Sequence, residues 1–198
     1  MLKTHYATEV NSGLLGQTVT LAGWVDRRRD HGSLIFIDLR DVSGVIQLAI
    51  NPEVEPHAHE IGSTLRNEYV VQVTGQVAMR PEGTQNSKLP TGDIEISVKK
   101  VEILARAKTP PFYINEEVEV DENVRLRYRY LDLRRSRMKR NILTRHSVIR
   151  YMRNFLDSKG FAEVDTPILI KSTPEGARDY LVPSRIYPGK FYALPQSP

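Results

Sequence analysis

Between Val19 and Leu104 the chain alternates apolar and polar residues with period two in five separate runs, and this repetition commits its first half to an all-β fold. Residues 19–25 form the first run, with β-branched Val19, Thr20 and Val25. Residues 33–40 and 45–51 predict two more strands, joined by Asp41-Val42-Ser43-Gly44, whose side chains favour a turn. Residues 69–79 and 93–104 predict the fourth and fifth strands. Between the third and fourth, residues 56–68 are polar, with Ala58, Ile61 and Leu65 at helical spacing. Residues 27–32 (Arg-Arg-Arg-Asp-His-Gly) read as a charged loop after the first strand, and residues 80–92 as a loop rich in Pro, Gly and Asn.

Three strands, a helix and two more strands is the order of the OB-fold, a small barrel that binds oligonucleotides on its strand 2–3 face. Residues 1–106 are assigned to it. Alternation sets the faces. Ile35, Ile37 and Leu39 share one side, and Leu34, Phe36, Asp38 and Arg40 the other. Ile46, Leu48 and Ile50 point inward, with Gln47 and Val45 outward; Ile94, Ile96 and Val98 point inward, with Glu95 outward. An exposed Phe36 beside Arg27–Arg29 has the layout of a single-strand groove, where stacking one base is worth about 1–3 kcal/mol. The competing reading has Phe36 covering the helix or a sheet edge. The net charge of +4 and pI near 9.3 permit a nucleic-acid partner without demanding one.

Residues 107–135 read as a hinge or linker that opens on Pro110-Pro111 and acidic residues. Residues 125–153 then hold 11 Lys and Arg against one acid, Asp132. From Ser136 onward Met138, Ile142, Val148, Ile149, Met152 and Phe155 suit a long helix with an apolar stripe. Gly160 marks its stop. Residues 161–165 alternate as a short strand that Pro167 closes. Residues 171–179 carry four charges, one Pro and one Gly, and read either as a lid or as a solvated loop. The absence of cysteine excludes disulfides and thiolate metal sites, and the five histidines show no ligand spacing, so no metal site is expected. No apolar run is long enough to span a membrane and Met1-Leu2-Lys3 leads into no signal core, so a cytoplasmic protein without membrane contact is expected.

A helix followed by GFAEVDTPIL resembles motif 1 of the class II aminoacyl-tRNA synthetases, and TPEGARDYLVP followed by KFYALPQSP resembles the bacterial aspartyl-tRNA synthetases. The resemblance runs the whole length of the chain. It implies an all-β OB-fold barrel, a hinge, and over residues 136–198 the truncated start of an α+β class II catalytic domain. It implies ATP-dependent activation of L-aspartate and its transfer to tRNA(Asp), with ATP and Mg2+ as cofactors of the whole enzyme. Phe36 would stack on an anticodon base, and Arg29, Gln47, Arg80 and Glu95 would contact anticodon bases or phosphates. For Arg27 and Arg28, phosphate contact and a solvated loop stand equally. Glu175 would bind the ammonium group of aspartate, with Ser197 lining the same pocket. Pro167 would lie at a homodimer interface. The basic helix face would follow the tRNA backbone or stay solvated, paired with acids elsewhere.

His31, expected in the loop after the first strand, and Gly83, in the loop before the fifth, resemble family members that charge tRNA(Asn) as well as tRNA(Asp). A loop glycine and a loop histidine also have plainer explanations, turn geometry and solvation. The family pattern continues past Gln196-Ser197-Pro198 into residues that select the substrate carboxylate and motifs that bind ATP. These 198 residues alone are therefore expected to bind no cofactor and to form no aspartyl-adenylate. Two rivals remain: a stand-alone OB module that binds single-stranded nucleic acid, and a lysyl or asparaginyl synthetase.

Overall fold

The computed structural model describes residues 2–115, 118–172 and 179–194. It divides into two units, Met1–Ser136 and Arg137–Pro198. In the first, β1 (Thr18–His31), β2 (Leu34–Arg40), β3 (Val45–Ile50), β4 (Val70–Met79) and β5 (Ile94–Ala105) close into a barrel in the order β1-β2-β3-β5-β4. The β3–β5 pairing is parallel and the others are antiparallel. The α1 helix (Pro56–Thr64) lies between β3 and β4 in sequence and packs on β5, β2 and β3. This is the OB-fold order expected from the alternation.

The inward set is the predicted one. Ile35, Ile37, Leu39, Ile46, Leu48, Ile50, Ile94, Ile96 and Val98 all lie in one core with Val19, Leu21, Val25, Val71 and Val73. Burying each such side chain contributes roughly 1.5–3 kcal/mol, so the closed barrel satisfies its apolar face internally. Gly75 sits where the β4–β5 register shifts, and a Cβ there would lie 2.4 Å from the Ser97 carbonyl oxygen. The 41–44 turn is tied by Asp41, whose carboxylate accepts from the backbone of Ser43, Gly44 and Ala7 and from the Ser43 hydroxyl.

Three local expectations are corrected. Residues 27–31 are not a loop. After a bulge between Val25 and Arg27, β1 runs on to His31, and Arg28, Arg29 and Asp30 pair with Ile37, Phe36 and Ile35. A strand exposes one face, so charged side chains ride it as long as the backbone ladder continues. The α1 helix ends at Thr64, and Leu65 leaves helical geometry to bury its side chain in the core. Residues 161–165 form no strand, because none of the described strands pairs with them.

Residues after the barrel remain within the first unit. Phe112 and Ile114 are buried, and the Asn115 amide donates to the Asp26 carbonyl at 2.7 Å. The α2 helix (Glu122–Arg127) and α3 (Arg129–Asp132) converge on the Asp132 carboxylate, which is fully buried. Arg125, Arg129 and Arg135 approach it at 3.0, 2.8 and 3.8 Å. The one acid of the basic segment thus serves three of its arginines.

The α4 helix (Ser136–Ser158) starts at the last residue of the first unit and otherwise belongs to the second; Gly160, whose φ is +82°, follows its end. None of the helix residues is buried, and Ile142, Val148, Met152 and Phe155 are exposed. Pro167 is exposed in the segment that follows. β6 (Leu181–Pro183) and β7 (Phe191–Ala193) form a hairpin, and Ile170 bridges Ala193. Glu175 and Ser197 lie outside the described residues.

Candidate nucleic-acid interface

Strand register brings four of the five expected RNA-contact residues onto adjoining strands of one barrel face. Arg29 on β1 lies opposite Phe36 on β2, and Phe36 lies opposite Ala49 on β3. Two residues along, Asp38 lies opposite Gln47. In the parallel β3–β5 pair Leu48 lies opposite Ile96, which brings Glu95 beside Gln47.

The side chains join into one web. Arg29 Nη2 donates to Asp38 Oδ1 at 2.6 Å and to Gln47 Oε1 at 3.3 Å. Gln47 Nε2 donates to Glu95 Oε2 at 2.7 Å. Alternation places Gln47 on the outer side. Its neighbours cover it to 7% exposure, since both halves of its amide are engaged. Phe36, expected exposed, is half-buried between Arg29 and Ala49 in the ladder.

Arg80, expected in the loop, directly follows β4 and is 6% exposed. Its backbone N–H donates to the Asp93 carbonyl and its Nε to the Ile94 carbonyl at 3.0 Å, while its Nη2 is buried without a partner. Burial lowers the pKa of this guanidinium, and the nearby Glu95 and Asp38 carboxylates offset that only in part. An unsatisfied buried donor costs about 1–3 kcal/mol. Burial also pushes the Asp38 carboxyl above the usual carboxylate range; the Arg29 charge opposes the rise and Asp26 adds to it.

The two positions expected to bear on tRNA choice are His31 and Gly83. His31 is not in a loop. It is the last residue of β1, opposite Leu34, because the turn is confined to Gly32 and Ser33. Gly83 does lie in the β4–β5 loop, with φ +82°, and its N–H donates to the Gln85 side chain at 2.9 Å. A Cβ at Gly83 would meet nothing within 4 Å, so the positive φ alone favours glycine there. No described hydrogen bond joins either residue to Arg29, Gln47 or Glu95. Arg28 works within the fold, where its guanidinium pairs with Asp30 and donates to the Ser63 and Leu65 carbonyls at the end of α1. Arg27 is exposed.

Asp38 was not among the expected contacts. Its signal in the sequence is its place on the outward face, two residues after Phe36. Among the described residues no three His, Cys, Asp or Glu are grouped to hold a metal ion, and no helix is long and apolar enough to cross a membrane.

Comparison with known proteins agrees with this fold. Residues 19–104 match the family described as OB-fold nucleic acid binding domain, and residues 121–198 match tRNA synthetases class II (D, K and N). The chain is 60% identical over all 198 residues to the aspartate–tRNA(Asp/Asn) ligase of Syntrophomonas wolfei, covering 34% of that protein. It is 61% identical to the enzyme of the same name from Dehalococcoides mccartyi, covering 33% of it. The chain thus spans about a third of the length of the curated relatives it matches. Among solved structures it is similar to the asparaginyl-tRNA synthetase of Pyrococcus horikoshii complexed with asparaginyl-adenylate. That match has a TM-score of 0.81 and 29% identity, covering 100% of this chain and 43% of the other. A putative aspartyl-tRNA synthetase from Leishmania major matches with the same TM-score and 26% identity, covering 99% and 39%. The chain thus joins a stretch that matches the OB-fold nucleic acid binding domain to one that matches the class II tRNA synthetases of the D, K and N group, and along its whole length it is similar to aspartate–tRNA(Asp/Asn) ligases.

Proposed function

We propose that the chain is the anticodon-reading part, with the first portion of the catalytic domain, of an aspartate–tRNA ligase. That enzyme activates L-aspartate with ATP and transfers it to tRNA(Asp) and tRNA(Asn). The observation that carries the reading is the Arg29–Asp38–Gln47–Glu95 web beside Phe36 on the outer face of an OB barrel. Phe36 stacks on an unpaired base of the anticodon loop. Gln47 and Glu95 meet base edges, and Arg29 and Arg80 meet a base or a phosphate. The names of the relatives at about 60% identity support acceptance of both tRNAs.

In this reading Glu175 pairs with the substrate ammonium group, Ser197 lines the same pocket, and Pro167 belongs to a homodimer contact. ATP and Mg2+ belong to the whole enzyme. The described residues here group no acids that would hold the metal.

The test is binding of the chain to anticodon stem-loops of tRNA(Asp), tRNA(Asn) and tRNA(Lys) at one fixed salt concentration. Tight, equal binding of the first two with rejection of the third is expected. Binding of the aspartate loop alone removes tRNA(Asn) from the proposal. Indifference among all three overturns the anticodon reading.

A further inference from the structure

The web on the barrel face contains one member without a part in the reading above. Asp38 is an acid in a groove meant for a polyanion, and it lies beneath the surface. Its side chain is 18% exposed, against 49% for Arg29, which it holds at 2.6 Å. Resting on the anticodon reading, we propose that Asp38 is a positioning residue. Its carboxylate fixes the Arg29 guanidinium, and through it the Gln47 amide, in the one arrangement that discriminates among loop bases.

The hydrogen-bond directions carry this. A single atom, Arg29 Nη2, donates to both Asp38 Oδ1 and Gln47 Oε1. The end of the Gln47 amide that faces Arg29 must therefore be the oxygen. Its nitrogen then faces Glu95 and donates to that carboxylate at 2.7 Å. The flipped amide would set nitrogen against guanidinium and oxygen against carboxylate, so both bonds would be lost. Freed from Asp38, the long Arg29 side chain regains its rotamers and Gln47 loses its fixed acceptor contact. Asp38 also lies directly across from Gln47 and two residues from Phe36, so it acts where a base would stack.

The alternative is an acid that only dilutes the positive charge of the groove. The two roles predict opposite signs. Neutralising a bystander acid strengthens binding of every RNA alike, because it removes repulsion of phosphates. Neutralising a positioning acid leaves general attraction intact or stronger and erodes the difference between RNAs.

The experiment measures Kd of the 198-residue chain for the tRNA(Asp) anticodon stem-loop and for the same stem with a scrambled loop, at one salt concentration. Asp38→Asn keeps the shape and removes the charge. Since burial already opposes that charge, the variant is expected to fold, which a thermal melt verifies. The ratio of the two Kd values is expected to fall about tenfold, with scrambled-loop binding unchanged or tighter. An equal change in both Kd values overturns the proposal. Asp38→Glu keeps the charge and displaces the carboxylate by one methylene, and its ratio is also expected to fall; an unchanged ratio overturns the proposal independently of net charge. A wild-type chain that does not separate the two RNAs overturns the anticodon reading itself, and it does so before any variant is made.

Discussion

The first unit holds two clusters of arginine and acid that look alike in composition and differ in construction. On the barrel face, Asp38 and Glu95 flank Gln47 beneath a half-exposed Arg29, and Arg80 keeps a buried donor unpaired. After the barrel, Asp132 is fully buried under Arg125, Arg129 and Arg135. In the second cluster the acid is the hub and the arginines enclose it, so the cluster holds α2 and α3 together. In the first, the acids orient groups that face outward. The number of charges does not separate the two clusters; the acid does, fully buried at Asp132 and 18% exposed at Asp38, whose arginine also holds the Gln47 amide.

Removing each hub breaks this contrast most directly. Asp132→Ala is expected to destabilise the chain by roughly 2–4 kcal/mol, since three guanidiniums lose the carboxylate they enclose. Discrimination among stem-loops should survive in the folded fraction. Denaturant unfolding and RNA binding on the same sample check both halves. Phe36→Ala reverses the pattern: it should cost about 1–3 kcal/mol in stem-loop affinity. Its half-buried ring makes some loss of stability expected too, so binding is compared well below the melting temperature.

Two acids three residues apart sharpen the comparison through pH. Burial works against the ionised Asp41, but the Ser43 hydroxyl and the Ala7, Ser43 and Gly44 N–H donors outweigh it and hold its carboxyl below the usual range. A carboxyl lowered on folding contributes stability above its unfolded pKa and loses it as pH falls through the folded pKa. Asp41→Asn should cost about 1 kcal/mol at neutral pH, the difference from wild type closing in acid. Asp38 has the opposite sign. Its carboxyl is raised by burial, so stability falls as pH rises from its unfolded pKa through its folded pKa. Asp38→Asn should remove that fall and leave neutral-pH stability equal or slightly higher. Thermal melts from about pH 3 to pH 7 distinguish the two acids.

The barrel was legible because the inward residues of β2 and β3, and of β5 as far as Val98, follow the alternation; after Val98 two exposed lysines precede buried Val101, where the ladder with β4 is irregular. The extension of β1 through Arg27–His31 was not, because charged residues pattern alike in a loop and on the exposed face of a strand. The outward direction of Gln47 was legible, and its burial was not. That burial comes from Arg29 and Glu95, 18 positions before and 48 after it, which only the register brings together. Residues 161–165 show the converse: local alternation predicts a strand, yet none of the described strands pairs with them. The resemblance pointed to Phe36, Gln47 and Glu95 without Asp38, whose part is visible only in the direction of hydrogen bonds.

The measurement closest to the central claim is a titration of the isotope-labelled chain with the tRNA(Asp) anticodon stem-loop, followed by amide and side-chain NMR shifts. Changes are predicted to centre on Arg29, Phe36, Asp38, Gln47, Arg80 and Glu95, with the Arg29 and Gln47 side-chain signals among the most displaced. Changes centred instead on the β4 face at Gln72 and Thr74, or on α4, with the web undisturbed, would contradict the claim.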